Sequence, residues 1–147
     1  MDSQFVYDDG GRVNAGFKGD TGDCSTRAVA IATGNPYQQV YAMFAALAKV
    51  EHATVKNPRA KAGSPRTGVS MKVIKAYLET IGWVWTPTMA IGQGCTVHLR
   101  NDELPAGRII ARCSRHLVAV IDGVIHDTYD SSRGGTRCVY GYWQDAS

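Results

Sequence analysis

Among the four cysteines and four histidines of this 147-residue chain, Cys24 and His116 lie in segments that could bring a thiol and an imidazole together for covalent catalysis. Cys24 lies in the segment 22–28, Gly-Asp-Cys-Ser-Thr-Arg-Ala, where the pattern predicts the start of a helix. His116 lies in the segment 114–120, Ser-Arg-His-Leu-Val-Ala-Val, which is typical of a buried strand. A thiol is activated as a nucleophile by an imidazole within hydrogen-bond reach. If the fold brings the two side chains together, the chain has the chemistry of a cysteine hydrolase.

A predicted hairpin supplies a third candidate. Asp122 and Gly123 separate two apolar segments and predict a two-residue type I′ turn, which needs positive φ at both positions. That turn fixes the strand register, and because side chains alternate between faces, His116 and Asp127 project to the same side. Such diagonal neighbours lie roughly 7–8 Å apart by backbone, within reach of each other's side chains. His126 falls on the opposite face, so the register selects Asp127 as the partner of His116.

These three residues predict a Cys-His-Asp triad. Cys24 would be the nucleophile, because the amides of a helix N-terminus and an adjacent imidazolium both lower the pKa of a thiol. His116 would hold the thiolate as an ion pair and then protonate the leaving amine. Asp127 would orient the imidazole ring through its second nitrogen, and we expect it to matter less than the other two.

The elements that must position these residues run from helices to strands. The first helix is predicted from Cys24 to about Thr33, with Asp23 as N-cap and Gly34 after its end. A second begins at 35–36 and runs to about residue 49, and a third is capped by Thr67 or Ser70. This order indicates an α+β fold in one domain spanning 1–147. The predicted strands are 83–86, 95–99, 108–121, 124–129 and 137–143.

Composition narrows the class of protein. Hydrophobic residues make up 44% and charged residues 20% of the chain, values that are ordinary for a soluble globular protein. The chain shows no signal-peptide pattern and no apolar run long enough to span a membrane, so we expect a cytoplasmic protein without membrane contact. Reduced thiols are expected in that compartment, with Cys95, Cys113 and Cys138 as small buried hydrophobic residues. We expect no metal and no cofactor.

The positive charge of the chain is concentrated in the segment 49–75. This segment contains seven basic residues and one acidic residue, Glu51, whereas the whole chain has a net charge of only +3. The part from 50 to 67 lacks apolar periodicity and is rich in Lys, Arg, Pro and Gly, which predicts an exposed basic loop. Such a loop suits an acidic partner. The absence of interleaved aromatic residues argues against nucleic acid, which remains an alternative partner.

The order of these motifs resembles the papain-like cysteine peptidase superfamily. Residues 23–24, Asp-Cys, and 116–120, His-Leu-Val-Ala-Val, are similar to the helix start and histidine strand of bacteriocin-processing peptidase-like domains. Small bacterial and bacteriophage proteins carry similar segments. The resemblance implies N-terminal helices packed on a C-terminal antiparallel sheet, a peptide or protein substrate, and hydrolysis by a peptidase or isopeptidase through a thioester. Peptidoglycan amidase and acyltransferase activities use the same intermediate and remain alternatives.

The resemblance also leads us to expect an oxyanion hole, and here the chain departs from the family. Papain-like enzymes place a glutamine a few residues before the nucleophile, where this sequence has Lys18. Asn14 is the nearest upstream side-chain amide. The candidates are therefore Lys18 or Asn14 together with the backbone amide of Cys24. The family's tryptophan after the nucleophile is replaced by Ser25.

Three other classes of protein compete with an enzyme. Cys95 and His98, and likewise Cys113 and His116, form Cys-x2-His pairs that together have the composition of a zinc site. Residues three apart on an extended strand point to opposite faces, which argues against chelation by either pair. A catalytically inactive binding module of the same fold and a basic nucleic-acid-binding protein are the remaining alternatives.

Overall fold

The computed structural model describes residues 4–17, 23–54, 64–65, 68–90 and 92–146. These ranges contain three helices and one six-stranded mixed sheet, an α+β arrangement as the sequence predicts. No helix in them is both long and apolar enough to cross a membrane. The elements are α1 (Cys24–Thr33), α2 (Tyr37–Thr54), α3 (Met71–Thr80), β1 (Gln4–Tyr7), β2 (Trp83–Pro87), β3 (Arg108–Cys113), β4 (His116–Ile121), β5 (Val124–Asp127) and β6 (Gly141–Asp145).

The predicted caps at the end of α1 and at the start of α3 are confirmed, whereas the predicted cap at the start of α1 is not. Gly34 ends α1 in the left-handed conformation, with φ 76°, and its N–H donates to the carbonyl of Ala30. Ser70 caps α3 by accepting a hydrogen bond from the Val73 N–H. Asp23 occupies the N-cap position of α1, but its side chain caps no amide. That carboxylate is bound elsewhere, as the site geometry shows.

The predicted exposed loop 50–67 is wrong in both of its described parts. Helix α2 continues to Thr54 instead of ending near Lys49, because neither glycine nor proline interrupts residues 50–54. Pro65 is buried, and its carbonyl accepts a hydrogen bond of 2.7 Å from Thr26 Oγ1 of α1. Residues 55–63 and 66–67, with the candidate cap Thr67, lie outside the described residues. The end of this segment therefore packs beside the start of α1.

The sheet has the order β1-β5-β4-β3-β6-β2. Strand β1 pairs in parallel with β5, placing Phe5 opposite Ile125, so the prediction of a purely antiparallel sheet is wrong at this edge. Parallel neighbours need a long crossover, and here nearly the whole chain lies between the two strands. The apolar residues 5–7 are too few to predict a strand without the partner strand β5 beside them.

The predicted single strand 108–121 is two strands. Strand β3 ends at Cys113 and β4 begins at His116, and the two residues pair across an antiparallel ladder. Between them, Arg115 adopts a positive φ of 55°. The intervening Ser114-Arg115 pair lacks the Gly, Asn or Asp that usually marks a turn with positive φ, which is why the sequence predicts an uninterrupted strand. His116 is therefore the first residue of β4, an interior strand of the sheet, and lies next to the β3–β4 turn.

The hairpin joining β4 and β5 confirms the predicted turn and register. Asp122 and Gly123 have φ values of 50° and 80°, both positive as a type I′ turn requires. Ala119 faces His126, as predicted. The side chains of β4 alternate between two apolar clusters, one on the helix side of the sheet and one on the opposite side.

The region predicted as a strand at 95–99 is instead tied to the segment before β6. His98 forms an isolated bridge with Cys138, and Cys95 is joined to Cys138 by a disulfide, with 5.9 Å between their Cα atoms. Backbone hydrogen bonds on both sides of that bridge bring the two thiols together. The expectation that Cys95 and Cys138 are reduced, buried residues is therefore wrong, whereas Cys113 is free and buried. Strand β6 begins at Gly141 and not at residue 137.

Candidate active site

Three elements enclose a cavity of about 540 Å³ at one end of the sheet. The start of α1 contributes Cys24, and the β3–β4 turn with the start of β4 contributes His116. The start of α3 and the residues just before it supply an apolar wall that includes Val69 and Met71. Tyr129 closes another side, with its ring centroid 5.5 Å from that of His116. The predicted nucleophile and the predicted base thus line the same cavity.

The structure brings all three residues of the predicted triad together. His116 Nε2 lies 2.6 Å from Asp127 Oδ2, and both side chains are buried. The Cys24 side chain is hydrogen-bonded to His116. Because Nε2 is occupied by the carboxylate, Nδ1 is the ring nitrogen left for the sulfur. The side chains therefore interact in the order Cys24, His116 and Asp127.

Electrostatics favour an ion pair between the sulfur and the ring. Burial alone would raise the pKa of Cys24, but the hydrogen bond to His116, a backbone hydrogen bond from Leu117 and the charges of His116 and Arg27 outweigh it and lower the pKa. Burial alone would lower the pKa of His116, but hydrogen bonds and charge interactions with Asp127 and Cys24 raise it. The opposite directions stabilise a thiolate beside an imidazolium.

Asp127 stays ionised despite its burial. Desolvation would raise its pKa, yet the hydrogen bond and positive charge of His116 lower it, assisted by the Thr128 backbone N–H at 2.7 Å from Oδ1. An ionised carboxylate at Nε2 fixes the tautomer and orientation of the ring. This is the role that the hairpin register predicts for Asp127.

A buried charge network behind the triad was not foreseen from the sequence. Arg27 of α1 donates to Asp23 one turn earlier, and its Nη2 lies 3.4 Å from Asp127 Oδ1. The second oxygen of Asp23 accepts a hydrogen bond of 2.6 Å from the Tyr37 hydroxyl and lies 3.3 Å from Arg12 Nε. The network ties the helix that carries the nucleophile to the strand that carries the carboxylate. Only the i,i+4 spacing of Asp23 and Arg27 was visible in the sequence.

The same network explains the uncapped helix start. Since the Asp23 carboxylate is bound to side chains, none of the described side chains caps the first amides of α1. The backbone N–H groups of Cys24 and Ser25 are therefore donors beside the sulfur. Asn14 is exposed and does not line the cavity, so that oxyanion candidate is not brought to the site. Lys18 lies outside the described residues.

The two Cys-x2-His pairs do not combine into a metal site. Cys95 is bound to Cys138, and His98 Nδ1 lies 3.2 Å from Glu103 Oε1. Burial raises the pKa of Cys113 to about 11, which opposes the thiolate that zinc requires. Within the described ranges, no group of three or more His, Cys, Asp and Glu side chains is arranged to hold a metal ion.

The chain matches no protein-family model, no curated protein and no solved structure. Any inference about its function therefore depends on the geometry and charges of this cavity. The features that bear on it are the hydrogen-bonded order of sulfur, ring and carboxylate, and the opposite pKa directions of Cys24 and His116.

Proposed function

We propose that this protein is a papain-like cysteine hydrolase that cleaves a peptide or isopeptide bond. The observation that carries the proposal is the hydrogen-bonded series of Cys24, His116 and Asp127 in an open cavity, with a lowered thiol pKa and a raised imidazole pKa. A structural cysteine has no need of such a partner, because burial alone would keep it a thiol. The order of a nucleophile on the first helix, a histidine strand and a carboxylate on the next strand supports the papain-like assignment.

The first half of the reaction makes a thioester. The Cys24 thiolate attacks the carbonyl carbon and forms a carbon–sulfur bond, while the carbonyl oxygen takes the negative charge. Backbone amides at the start of α1 lie beside the sulfur and are suited to stabilise that charge. The His116 imidazolium gives its proton to the amide nitrogen, so the carbon–nitrogen bond breaks and the amine leaves.

The second half releases the acid. His116, now neutral, accepts a proton from a water molecule as its oxygen attacks the thioester carbon. The carbon–sulfur bond breaks, the carboxylic acid product leaves, and the thiolate–imidazolium pair is restored. Asp127 remains a carboxylate throughout and stabilises the charged ring.

An activated ester tests the proposal without knowledge of the natural substrate. We expect p-nitrophenyl acetate to give a burst of p-nitrophenolate equal to the protein concentration, followed by slower turnover. Mass mapping of acid-quenched protein should find the acetyl group on Cys24. Cys24→Ala should abolish both phases, and His116→Ala should abolish the burst, because the thiol then lacks its base.

Cys113→Ala is the matched control, since it removes the other free thiol while leaving the triad in place. It should retain the burst and the turnover. Acetylation that persists in Cys24→Ala, or the absence of any acyl group on Cys24 in the folded wild-type protein, would contradict the proposed function.

A further inference from the structure

Two arginines line the cavity without an acidic partner. Arg112, half-buried on β3, and Arg115, exposed in the β3–β4 turn, contact no carboxylate in the described part of the chain. Arg27 also lines the cavity, but Asp23 and Asp127 bind its guanidinium. No aspartate or glutamate is among the described lining residues. The cavity thus carries positive charge that no carboxylate among the described residues neutralises.

Arg112 occupies a central position between two cavities. It lies two residues after Ile110, whose side chain packs in the helix-side cluster, so strand alternation directs Arg112 toward the helices, and it lines the same cavity as Cys24 and His116. Arg112 and Met71 line the main cavity and also a neighbouring one of about 250 Å³. The remaining walls of the second cavity come from Lys75, Trp85 and Trp143. The two cavities therefore share Arg112 and Met71, and together we call them the groove. Lys75 lies in its second cavity.

One wall of the second cavity is formed by Trp143, which is only 3% exposed. Its indole N–H is buried without a hydrogen-bond partner among the described residues, which is unusual for a buried polar group. Lys75 of the same cavity is paired with Glu79 at 3.1 Å, so Arg112 is the cation there without a described acidic partner. A group that accepts hydrogen bonds and carries negative charge complements Arg112.

The rest of the groove is apolar. Val69, Met71 and Ile74 also line the main cavity. In the second cavity the Trp85 ring lies across Gly141, where an added Cβ would stand 2.2 Å from Trp85 Cζ2. A residue with a side chain at 141 would displace this ring. The groove therefore combines an apolar surface with the guanidinium groups of Arg112 and Arg115, which have no acidic partner among the described residues.

We propose that this groove selects peptide substrates in which a carboxylate lies close to the scissile bond, beside an apolar side chain. The inference rests on the proposed cysteine hydrolase activity. Arg112 binds the carboxylate, because a guanidinium presents paired donors that match the two oxygens. Arg115, being exposed, attracts the acidic substrate from solution. The carboxylate has two possible sources, an aspartate or glutamate side chain and the free C-terminus of a peptide.

A pair of alkylating reagents of almost equal size measures the charge preference directly. Iodoacetate carries a carboxylate and iodoacetamide is its neutral counterpart, and both modify a thiolate. The rate at Cys24 with iodoacetate, divided by the rate with iodoacetamide, should exceed the ratio for a small free thiol in the same buffer. Arg112→Gln should lower this ratio roughly five- to tenfold, as expected for the loss of one nearby charge in a partly buried site. Lys49→Gln, which removes a charge from the exposed face of α2, should leave it unchanged.

Competing peptides identify the source of the carboxylate. Protection of Cys24 from iodoacetamide is measured with acetyl-Leu-Glu-Ala-amide, acetyl-Leu-Ala-Ala with a free C-terminus, and neutral acetyl-Leu-Ala-Ala-amide. Protection by the first indicates an acidic side chain, and protection by the second indicates a terminal carboxylate. In either case Arg112→Gln should abolish the advantage over the neutral peptide. Equal protection by all three peptides would overturn the inference.

The outcomes separate this inference from the proposed function. If Cys24 reacts no faster than Cys113 with iodoacetamide below pH 7, the thiolate is absent and both proposals fail. If Cys24 reacts selectively but Arg112→Gln leaves the reagent ratio unchanged, the carboxylate site alone is overturned. A lowered ratio in Arg112→Gln with selective labelling of Cys24 supports both.

Discussion

The pH dependence of alkylation at Cys24 is the most direct consequence of the site geometry. Two thiols are free, and their surroundings push their pKa values in opposite directions. Cys113, with a pKa raised to about 11, is thiolate at pH 6 in only about one molecule in 100,000. A thiol with a pKa of 9.0 would be thiolate in about 0.1% of molecules at that pH. Because the pKa of Cys24 is lowered from that value, its labelling should exceed that of Cys113 by at least about 100-fold.

His116→Ala should remove most of that advantage. The hydrogen bond and charge of His116 are what offset the burial of Cys24, so without them burial dominates and the thiol pKa rises. Each unit of that rise reduces the thiolate fraction about tenfold at pH 6, and we expect at least that loss in the labelling rate. As the pH falls, labelling of the variant should therefore disappear at a higher pH than labelling of the wild-type protein.

The assay is iodoacetamide labelling between pH 5 and 9, quenched and mapped by mass spectrometry of peptides. His126→Ala is the matched control, because His126 lies on the neighbouring strand and contacts Asp8 at 3.4 Å instead of the triad. It should keep the wild-type profile. Similar rates at Cys24 and Cys113, or identical profiles for His116→Ala and the wild-type protein, would refute the ion-pair reasoning.

Three further substitutions test the surroundings of the site. Asp127→Asn removes the carboxylate charge that raises the pKa of His116. The alkylation profile of Cys24 in the folded variant should therefore shift to higher pH, with about tenfold slower labelling at pH 6. An unshifted profile would contradict the role of Asp127 in the site. Arg27→Met leaves the buried carboxylates of Asp23 and Asp127 with fewer partners. It should lower the free energy of unfolding, measured by urea denaturation, by about 3 kcal/mol. An unchanged denaturation midpoint would show that the network does not stabilise the fold. Gly141→Ala should cost about 1–3 kcal/mol in the same assay through its clash with Trp85, and Trp85→Ala in the same chain should relieve the steric part; a cost that persists in the double variant would argue against the clash.

Much of the site was predictable because it depends on local rules. The Asp122-Gly123 turn sets the register of its hairpin, and that register alone is enough to associate Asp127 with His116. The helix that starts at Cys24 follows from apolar periodicity and the glycine that ends it. These signals act over a few residues, so a single sequence contains them in full.

Other features depend on partners far along the chain and were missed or misjudged. The disulfide between Cys95 and Cys138 requires two segments 43 residues apart in the chain to pair, and the strand patterns predicted at 95–99 and 137–143 do not indicate that pairing. Strand β1 is too short to be identified until the free edge of β5 is available beside it. The β3–β4 turn lacks glycine, asparagine and aspartate, so nothing local marks the point where β4 and His116 begin.

The sequence by itself determined which chemical groups exist and which short-range geometries they adopt: a thiol at a helix start, and an imidazole and a carboxylate in register on a hairpin. Only the tertiary structure decided that the start of α1 meets the start of β4, that Arg27 links Asp23 to Asp127, and that Arg112 lines the cavity with no acidic partner in the described ranges. The physical reason is the difference in the distance along the chain over which these interactions act. Backbone periodicity and turn chemistry act between near neighbours, whereas the pKa of Cys24 and the charge of the cavity arise from groups that come together only when the helices pack on the sheet.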